Sequence, residues 1–470
     1  MTGTRQPLSQ GQQALWYLHR LAPESSAYHV MCAVRIVGAR RIGADVLARA
    51  VTAVEHRHDL LRSTFDEDER GPYRCVHPAG RLAPEIRPAD ETGEQLRALV
   101  RAAGDRPFRL GTDSAFRVVL FDGPDAQVLL VAAHHIATDA ASQALLLREL
   151  LDACGAFDAG DPLPWEGPAT GFAVQVAAEE RLLADHEETE RLAEFWRDSC
   201  RGAPLVLDLP ADLPRQVLPG QRGDTVAVPV PDRLAERIRA TAADGRTTVF
   251  VVLAAAFQAL LYRYTAEPEF VIGCPASGRR ARELRGTVGY FVNPMVLRAS
   301  LDDETTFDAL LRRTQQRLRD AMNHQEYPFP LLPGALGLAR NAARTPVFQT
   351  TFTMVATSRL DPVMDLLSDP RGQRVLEYAG LSITGYDLPQ QEGQFDLAVE
   401  VLSGSGGLTV LFRYSTDLFF RPTVDRLSMH YLRLLDAVTT RPERRIGAIR
   451  LTGEEERAHL LALSAGAPAR

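Results

Sequence analysis

The sequence predicts an α/β protein built as two lobes of similar make-up with a cleft between them. Helical and strand-like hydrophobic patterns alternate along the whole chain. The second half runs through the same alternation as the first, without a detectable sequence repeat. A loop rich in glycine and proline, Gly155 to Pro168, separates the halves and sets a division at residues 1–170 and 171–470. Clefts between lobes are where ligands usually sit.

The first lobe opens with helical spacing from Ser9 to Leu21, marked by Leu15, Trp16, Leu18 and Leu21. A strand from Ala27 to Val37 and an amphipathic helix from Ala44 to His56 follow. Residues Phe116 to Phe121 and Gln127 to Ala133 read as a hairpin, because Asp122-Gly123-Pro124-Asp125 is a strong turn signal. Helix returns from Ala141 to Ala153. Past the boundary loop, a charged helix from Ala177 to Arg197 is placed to bridge the lobes.

The second lobe begins with strand Thr225 to Val230 and helix Asp232 to Ala243. A buried helix, Thr247 to Tyr264, and a strand, Glu269 to Cys274, come next. Helix Phe307 to Asn323 has Thr306 before it as a cap. Strands are expected at Val347 to Val355 and at Leu381 to Tyr386. A hairpin from Asp396 to Tyr414 turns at Ser403 to Gly407, and a last amphipathic helix runs from Thr423 to Val438.

Composition narrows the function. The chain has 470 residues, 45% of them hydrophobic, enough to bury a large core and more than one compact unit. A net charge of −7 without a run of five like charges argues against a nucleic-acid partner. The five cysteines are scattered, odd in number and never in a C-x-x-C pair, which fits a reducing cytoplasm better than a disulfide framework. Met1 to Pro7 has no apolar core to act as a signal peptide. The longest apolar stretch, Thr248 to Leu261, holds Gln258 and is too short to span a bilayer. A soluble, cytoplasmic, monomeric protein with no membrane partner is therefore expected. There is no lysine, which excludes Schiff-base chemistry and a P-loop lysine.

The segment that carries chemistry is Ala132-Ala133-His134-His135-Ile136-Ala137-Thr138-Asp139-Ala140, where an apolar strand runs out and a helix begins. A strand end facing a cleft holds a side chain rigidly, and histidine exchanges protons near neutral pH. Taken alone, the segment also suits an inert pair of strand-capping histidines. A zinc site using His135 and Asp139 is a further reading, but it lacks a clear third ligand.

The segment resembles the His-His-x-x-x-Asp-Gly signature of condensation domains of nonribosomal peptide synthetases, relatives of chloramphenicol acetyltransferase. Five other stretches agree. Ser9-Gln10-Gly11-Gln12-Gln13-Ala14-Leu15-Trp16 resembles the family's Ser-x-Ala-Gln-x-Arg-x-Trp, with Gly11 and Ala14 as departures. Arg57-His58-Asp59-Leu60-Leu61-Arg62-Ser63-Thr64-Phe65 is similar to Arg-His-x-x-Leu-Arg-x-x-Phe. Gly289-Tyr290-Phe291-Val292-Asn293 is similar to Gly-x-Phe-Val-Asn, with Pro294 in place of the usual Thr. His324 to Phe329 and Arg344 to Gln349 match two further patterns. The order holds from Leu8 to about Leu451.

The resemblance implies two chloramphenicol acetyltransferase-like lobes forming a V-shaped pseudo-dimer with a central cleft. It implies transfer of an acyl group from a carrier-protein thioester to an amine acceptor, in nonribosomal peptide or hybrid polyketide biosynthesis. No cofactor would be bound permanently. The substrates would ride on phosphopantetheine arms of a donor carrier and an acceptor carrier, or a small-molecule acceptor would replace the second.

His135 would be the base or the orienting group. Asp139 would anchor its loop through an arginine, Arg279 or else Arg62, and His134 would pack behind it. Gly289, Asn293, Arg344 and Ala140 would line the substrate channel, Ala140 replacing the family's glycine and bearing on acceptor choice. Neither a Gly-x-Ser-x-Gly elbow nor a cysteine in a nucleophile motif is present, and Gly111-Thr112-Asp113-Ser114 reads as a turn despite its likeness to a carrier serine's setting.

Alternatives remain open: ester formation with a hydroxyl acceptor, a free-standing enzyme, and a tailoring activity such as dehydration or cyclisation. The Asp-x-x-x-x-Asp of heterocyclising relatives is absent from the active-site segment. A non-catalytic module that recruits partners is another reading, although such relatives tend to lose the second histidine. The tail from Leu451 to Arg470 resembles the linker into an adenylation domain.

Overall fold

In the computed structural model the described residues are 3–461, apart from 217–219, 221, 340–342, 358–360, 370–371, 373, 389–392, 455 and 459–460. Most of the tail read as a linker lies outside them. The described backbone forms two six-stranded sheets and a three-stranded one.

The first sheet runs, edge to edge, Val375–Tyr378, Leu381–Gly385, His29–Val37, Gln127–His134, Phe116–Asp122 and Glu85–Pro88. Strand Gln127–His134 is buried at all eight positions. That explains its unbroken Val-Leu-Leu-Val-Ala-Ala run, since a strand covered on both faces loses the polar alternation. The hairpin closes with Asp122 opposite Gln127, and helices Ala44–Arg57 and Ala140–Ala159 pack on each other, the second also against strand His29–Val37.

The second sheet runs Val292–Ser300, Glu269–Ser277, Thr350–Ala356, Leu397–Gly404, Gly407–Ser415 and Gly223–Pro229. Pro294 is tolerated because its strand is an edge. Helix Val249–Thr265 is buried from Val251 to Tyr262 and forms the centre of the second core. Helix Phe307–Asn323 starts where its cap predicts, Thr306 Oγ1 accepting from the Ala309 N–H at 3.3 Å. Among the described residues no single helix is long and apolar enough to cross a membrane.

Three local expectations need correction. The helix expected to stop at Ala153 continues to Ala159 and ends on Gly160 at φ 75°. Gly155, read as the start of the loop, is inside it. A Cβ there would lie 2.6 Å from the Ala379 carbonyl oxygen, so this glycine admits a crossing segment rather than breaking the helix. The long charged helix is two, Ala173–Ala184 and His186–Cys200, divided at Asp185, whose carboxylate caps the second through the Glu188 N–H at 3.1 Å. The strand expected from Val347 starts at Thr350, since Val347 sits at φ 70°, outside the β region.

The second half of the chain reaches into the first lobe twice. Residues 278–291 leave the second sheet between adjacent strands and bury Leu284, Val288 and Phe291 in the first core. Residues 362–388 bury Val363, Leu366, Leu381 and Ile383 there, and Ser382–Gly385 pair with Val34–Val37. The first sheet thus takes two of its strands from beyond residue 170, whereas the second is built wholly from residues after it.

Candidate active site

Strand Gln127–His134 ends on the first of the two histidines, and a 3-10 turn, His135–Ala137, follows. His134 is buried opposite His29 in the strand ladder. Its Nδ1 accepts the Ile136 N–H at 3.1 Å, which requires an unprotonated nitrogen. Burial, then the nearby His29, His19 and His135, push its pKa well below the ordinary value. His29 is pushed down to about 4, chiefly by burial. Both rings are neutral packing groups at pH 7.

His135 points to a different environment. Its backbone N–H donates to the Tyr28 carbonyl at 2.7 Å, and its Nδ1 lies 2.7 Å from the Thr138 carbonyl oxygen. A carbonyl only accepts, so Nδ1 carries the hydrogen and the neutral ring keeps its lone pair on Nε2. The ring is partly exposed and meets Tyr290 edge-on, 5.0 Å between centroids at 83°. Gln12, from the opening motif, fastens this turn: its Nε2–H donates to the Ile136 carbonyl at 2.9 Å while Ser9 and Gln12 form a capping box.

Asp139 is the N-cap of helix Ala140–Ala159 and is 3% exposed. Its Oδ1 accepts the Ser142 N–H at 2.8 Å. Its Oδ2 accepts Arg279 Nη1 at 2.6 Å and the Phe291 N–H at 3.2 Å. Arg279 also donates to Ser142 Oγ and to the Thr287 carbonyl, and its guanidinium lies 4.1 Å over the Phe291 ring. Ser142 Oγ accepts the Gly289 N–H and donates to the Gly289 carbonyl, each at 3.0 Å. Of the two arginines considered for Asp139, Arg279 holds it; Arg62 donates instead to the His77 carbonyl at 3.1 Å. With both oxygens engaged by N–H donors, Asp139 is built as an anchor rather than a zinc ligand, and the described residues contain no cluster of three metal-ligating side chains.

Gly289 joins this node and packs tightly, since a Cβ would lie 2.1 Å from Phe172 Cδ2. Asn293 turns its amide to one segment: Nδ2 donates to the Gln325 and Tyr327 carbonyls, both at 2.8 Å, and Oδ1 accepts the Phe329 N–H at 2.9 Å. It has no amide N–H left to offer a substrate. Arg344 pairs with Asp208 at 2.6 Å. Ala140 is exposed, opens the helix and does not have positive φ, so the backbone freedom of glycine is not required there. Ser114, of the carrier-like stretch, donates to the Leu61 carbonyl at 2.7 Å.

Sequence reading missed Ser142 and Tyr290. Ser142 had a signal, three residues past an Asp that precedes a helix; Tyr290 occupies a variable position in its motif and had none.

Four of the five thiols are poorly suited to nucleophilic chemistry. Burial pushes Cys32, Cys154 and Cys274 up to about 12 and Cys200 to about 11. A cavity of about 770 Å³ lies beside His19, Phe108 and Arg117, but His135 and Asp139 are not in its wall. The hydrogen bonds, rather than cavity size, single out His135.

The family model for the condensation domain matches residues 3–461. Tyrocidine synthase 3 of Brevibacillus parabrevis is 30% identical over 97% of this chain, which spans 7% of that protein. A dimodular nonribosomal peptide synthase of Bacillus subtilis is 31% identical over 97% of this chain, which spans 19% of it. The chain is thus less than a fifth of either relative's length. A four-domain nonribosomal peptide synthetase crystallised with AMP and glycine superposes with a TM-score of 0.87 at 24% identity, over 97% of this chain and 34% of that one. The X-domain from teicoplanin biosynthesis, solved in complex with OxyB, gives 0.84 at 27% identity, with 97% of both chains covered. The fold is the two-lobe chloramphenicol acetyltransferase-like one. With the His135 turn and its Asp139–Arg279 anchor in place, the chain belongs to the condensation-domain family of nonribosomal peptide synthetases.

Proposed function

We propose that this domain moves an acyl group from a carrier-protein thioester to an amine, forming an amide, in the cytoplasm. Donor and acceptor arrive on phosphopantetheine arms of two carrier domains. The observation that carries this reading is the Nε2 of His135, which makes no hydrogen bond among the described residues while Thr138 fixes the tautomer through Nδ1. A thioester is already activated, so no covalent enzyme intermediate is required, which suits a chain whose Cys32 and Cys274 thiols are buried and pushed up to about 12.

The amine nitrogen attacks the thioester carbon, and His135 Nε2 orients it and takes its proton. The same proton then passes to the departing sulfur. Asp139, Arg279 and Ser142 act at one remove, by holding the turn that carries His135. An α-amino group with a pKa around 8 needs little help from a base, whereas a hydroxyl acceptor would need much more. Ala140, Gly289, Asn293 and Arg344 belong to this reading as residues bordering the substrate path, the last two through the segments they brace.

The test is intact-protein mass spectrometry of loaded donor carriers offered amines and alcohols. Parent protein forms the amide, and His135→Ala loses about 10²–10⁴-fold in rate while remaining folded. Turnover of His135→Ala within threefold of the parent would sink the assignment.

Likeness to the X-domain favours a second reading, a module that recruits a partner protein without chemistry. Under it the parent transfers nothing to any acceptor and binds a partner protein whether or not His135 is present.

A further inference from the structure

Acyl transfer at His135 needs a donor for the oxygen that gains charge when the carbonyl carbon becomes tetrahedral. Several N–H groups around His135 are already engaged within the protein. The Ile136 N–H goes to His134 Nδ1, the Thr138 N–H to the His135 carbonyl, the Gly289 N–H to Ser142 and the Phe291 N–H to Asp139. Arg279 is engaged by Asp139, Ser142 and the Thr287 carbonyl. The Tyr290 hydroxyl, by contrast, makes no hydrogen bond among the described residues and is not sealed from solvent.

Tyr290 is also held in place. Its neighbours on either side, Gly289 and Phe291, are bonded to the Ser142–Asp139 node that carries the His135 turn. Its ring rests on helix Gln10–Leu21 at Gly11, where a Cβ would lie 2.7 Å from Tyr290 Cε1. Its edge-on contact with the His135 ring completes the seat. Burial, then Tyr28 and Asp139, raise its pKa well above the ordinary value, so the phenol keeps its hydrogen throughout the working pH range.

We propose that Tyr290 is a catalytic hydrogen-bond donor, its hydroxyl directed at the thioester carbonyl oxygen beside His135. This rests on the acyl-transfer reading. As the carbon–nitrogen bond forms, the carbonyl π pair moves onto oxygen, and the Tyr290 O–H donates a hydrogen bond to that oxyanion without surrendering its proton. When the pair returns, the carbon–sulfur bond breaks and the thiolate receives the proton that His135 took from the amine. The donor strengthens with the developing charge, so its effect falls on the chemical step.

The experiment compares parent and Tyr290→Phe, which keeps the ring, the Gly11 contact and the His135 contact. Single-turnover transfer from an aminoacyl-carrier donor is measured at saturating amine-bearing carrier, with melting temperature and carrier affinity recorded alongside. Hydrolysis of the same donor by water supplies a second readout, because it passes through the same oxyanion without the acceptor.

Tyr290→Phe should lose about 10²-fold in both transfer and hydrolysis, with melting temperature and carrier affinity unchanged. Transfer within threefold of the parent overturns the proposal, as does a loss confined to transfer, which would place Tyr290 on the acceptor instead. A folded parent that transfers nothing to any acceptor defeats the acyl-transfer reading itself, and this inference with it.

Discussion

Two carboxylates, Asp139 and Asp365, stand where the second half of the chain engages the first lobe, and they are used differently. Each is buried, and each takes an arginine together with serine donors: Arg279 and Ser142 for Asp139, Arg374 and Ser405 for Asp365. Burial alone would raise the Asp365 pKa, but hydrogen bonds from Arg374, Ser405 and Thr357 hold it well below the usual carboxylate range. The Asp365 partners all come from the second half of the chain, Thr357, Arg374 and Ser405. Asp139 binds across the lobes, to residues of 279–291. The same chemistry braces the root of a chain excursion in one place and fixes the position of a histidine in the other. Only the second should couple stability to acyl transfer.

Removing Arg279 would test this most severely. Arg279→Ala leaves Asp139 buried without its cation and should cost about 3–5 kcal/mol, read from the urea midpoint, with transfer by the remaining folded protein reduced as well. A stable Arg279→Ala with parental transfer would dissolve the distinction.

Ile383→Ala is the complementary cut, in the crossing strand that the Asp365 node roots. Ile383 is fully buried, and its loss should cost about 2–5 kcal/mol while transfer per folded molecule stays within twofold of the parent. A large loss of specific activity would show that the strand crossing also positions the site.

Acid separates the two regions by pH. The folded pKa of His29 is depressed to about 4, so its neutral form is favoured in the fold. Its contribution is present above the unfolded value near 6.5 and is lost as pH falls towards 4, at up to about 1.4 kcal/mol per unit. The depressed Asp365 gives up its contribution only below the unfolded carboxylate value of about 3.9. Hydrogen exchange at pH 5 should therefore loosen the ends of strands His29–Val37 and Gln127–His134 before the 362–385 crossing. The reverse order would mean that His29 is not what makes the fold acid-sensitive.

The smallest effect belongs to Ala140→Gly. The helix already starts there without positive φ, so the change should cost no more than about 1 kcal/mol. If its methyl borders the acceptor path, competition between bulky and slim amines should shift by up to about tenfold. Identical ratios would remove Ala140 from the substrate path.

Much of the local architecture was legible because periodicity and caps are local. Hairpin Phe116–His134 and helix Phe307–Asn323 were found from turn residues, apolar spacing and Thr306. The Asp139–Arg279 pair was also anticipated, but from a family pattern. What failed depends on partners distant in sequence. Gly155 looks like a helix breaker until Ala379 is seen against it. The pairing of Ser382–Gly385 with Val34–Val37 leaves no mark in either stretch alone. That the Asn293 amide would brace Gln325, Tyr327 and Phe329, and Arg344 pair with Asp208, was likewise invisible in their motifs.

The Ser142 hydroxyl has one hydrogen to give and two lone pairs to receive, and all three are engaged, by Gly289 twice and Arg279 once. A hydroxyl so saturated has no free rotation and no direct route to solvent. Its proton should exchange with water slowly enough to give a resolved magnetic-resonance signal, unlike that of an ordinary serine. Because the same atom touches both lobes, that signal is a built-in gauge of the junction. Sharp while the lobes stay latched and broadened when they part, it can be followed as carriers dock, without attaching a label.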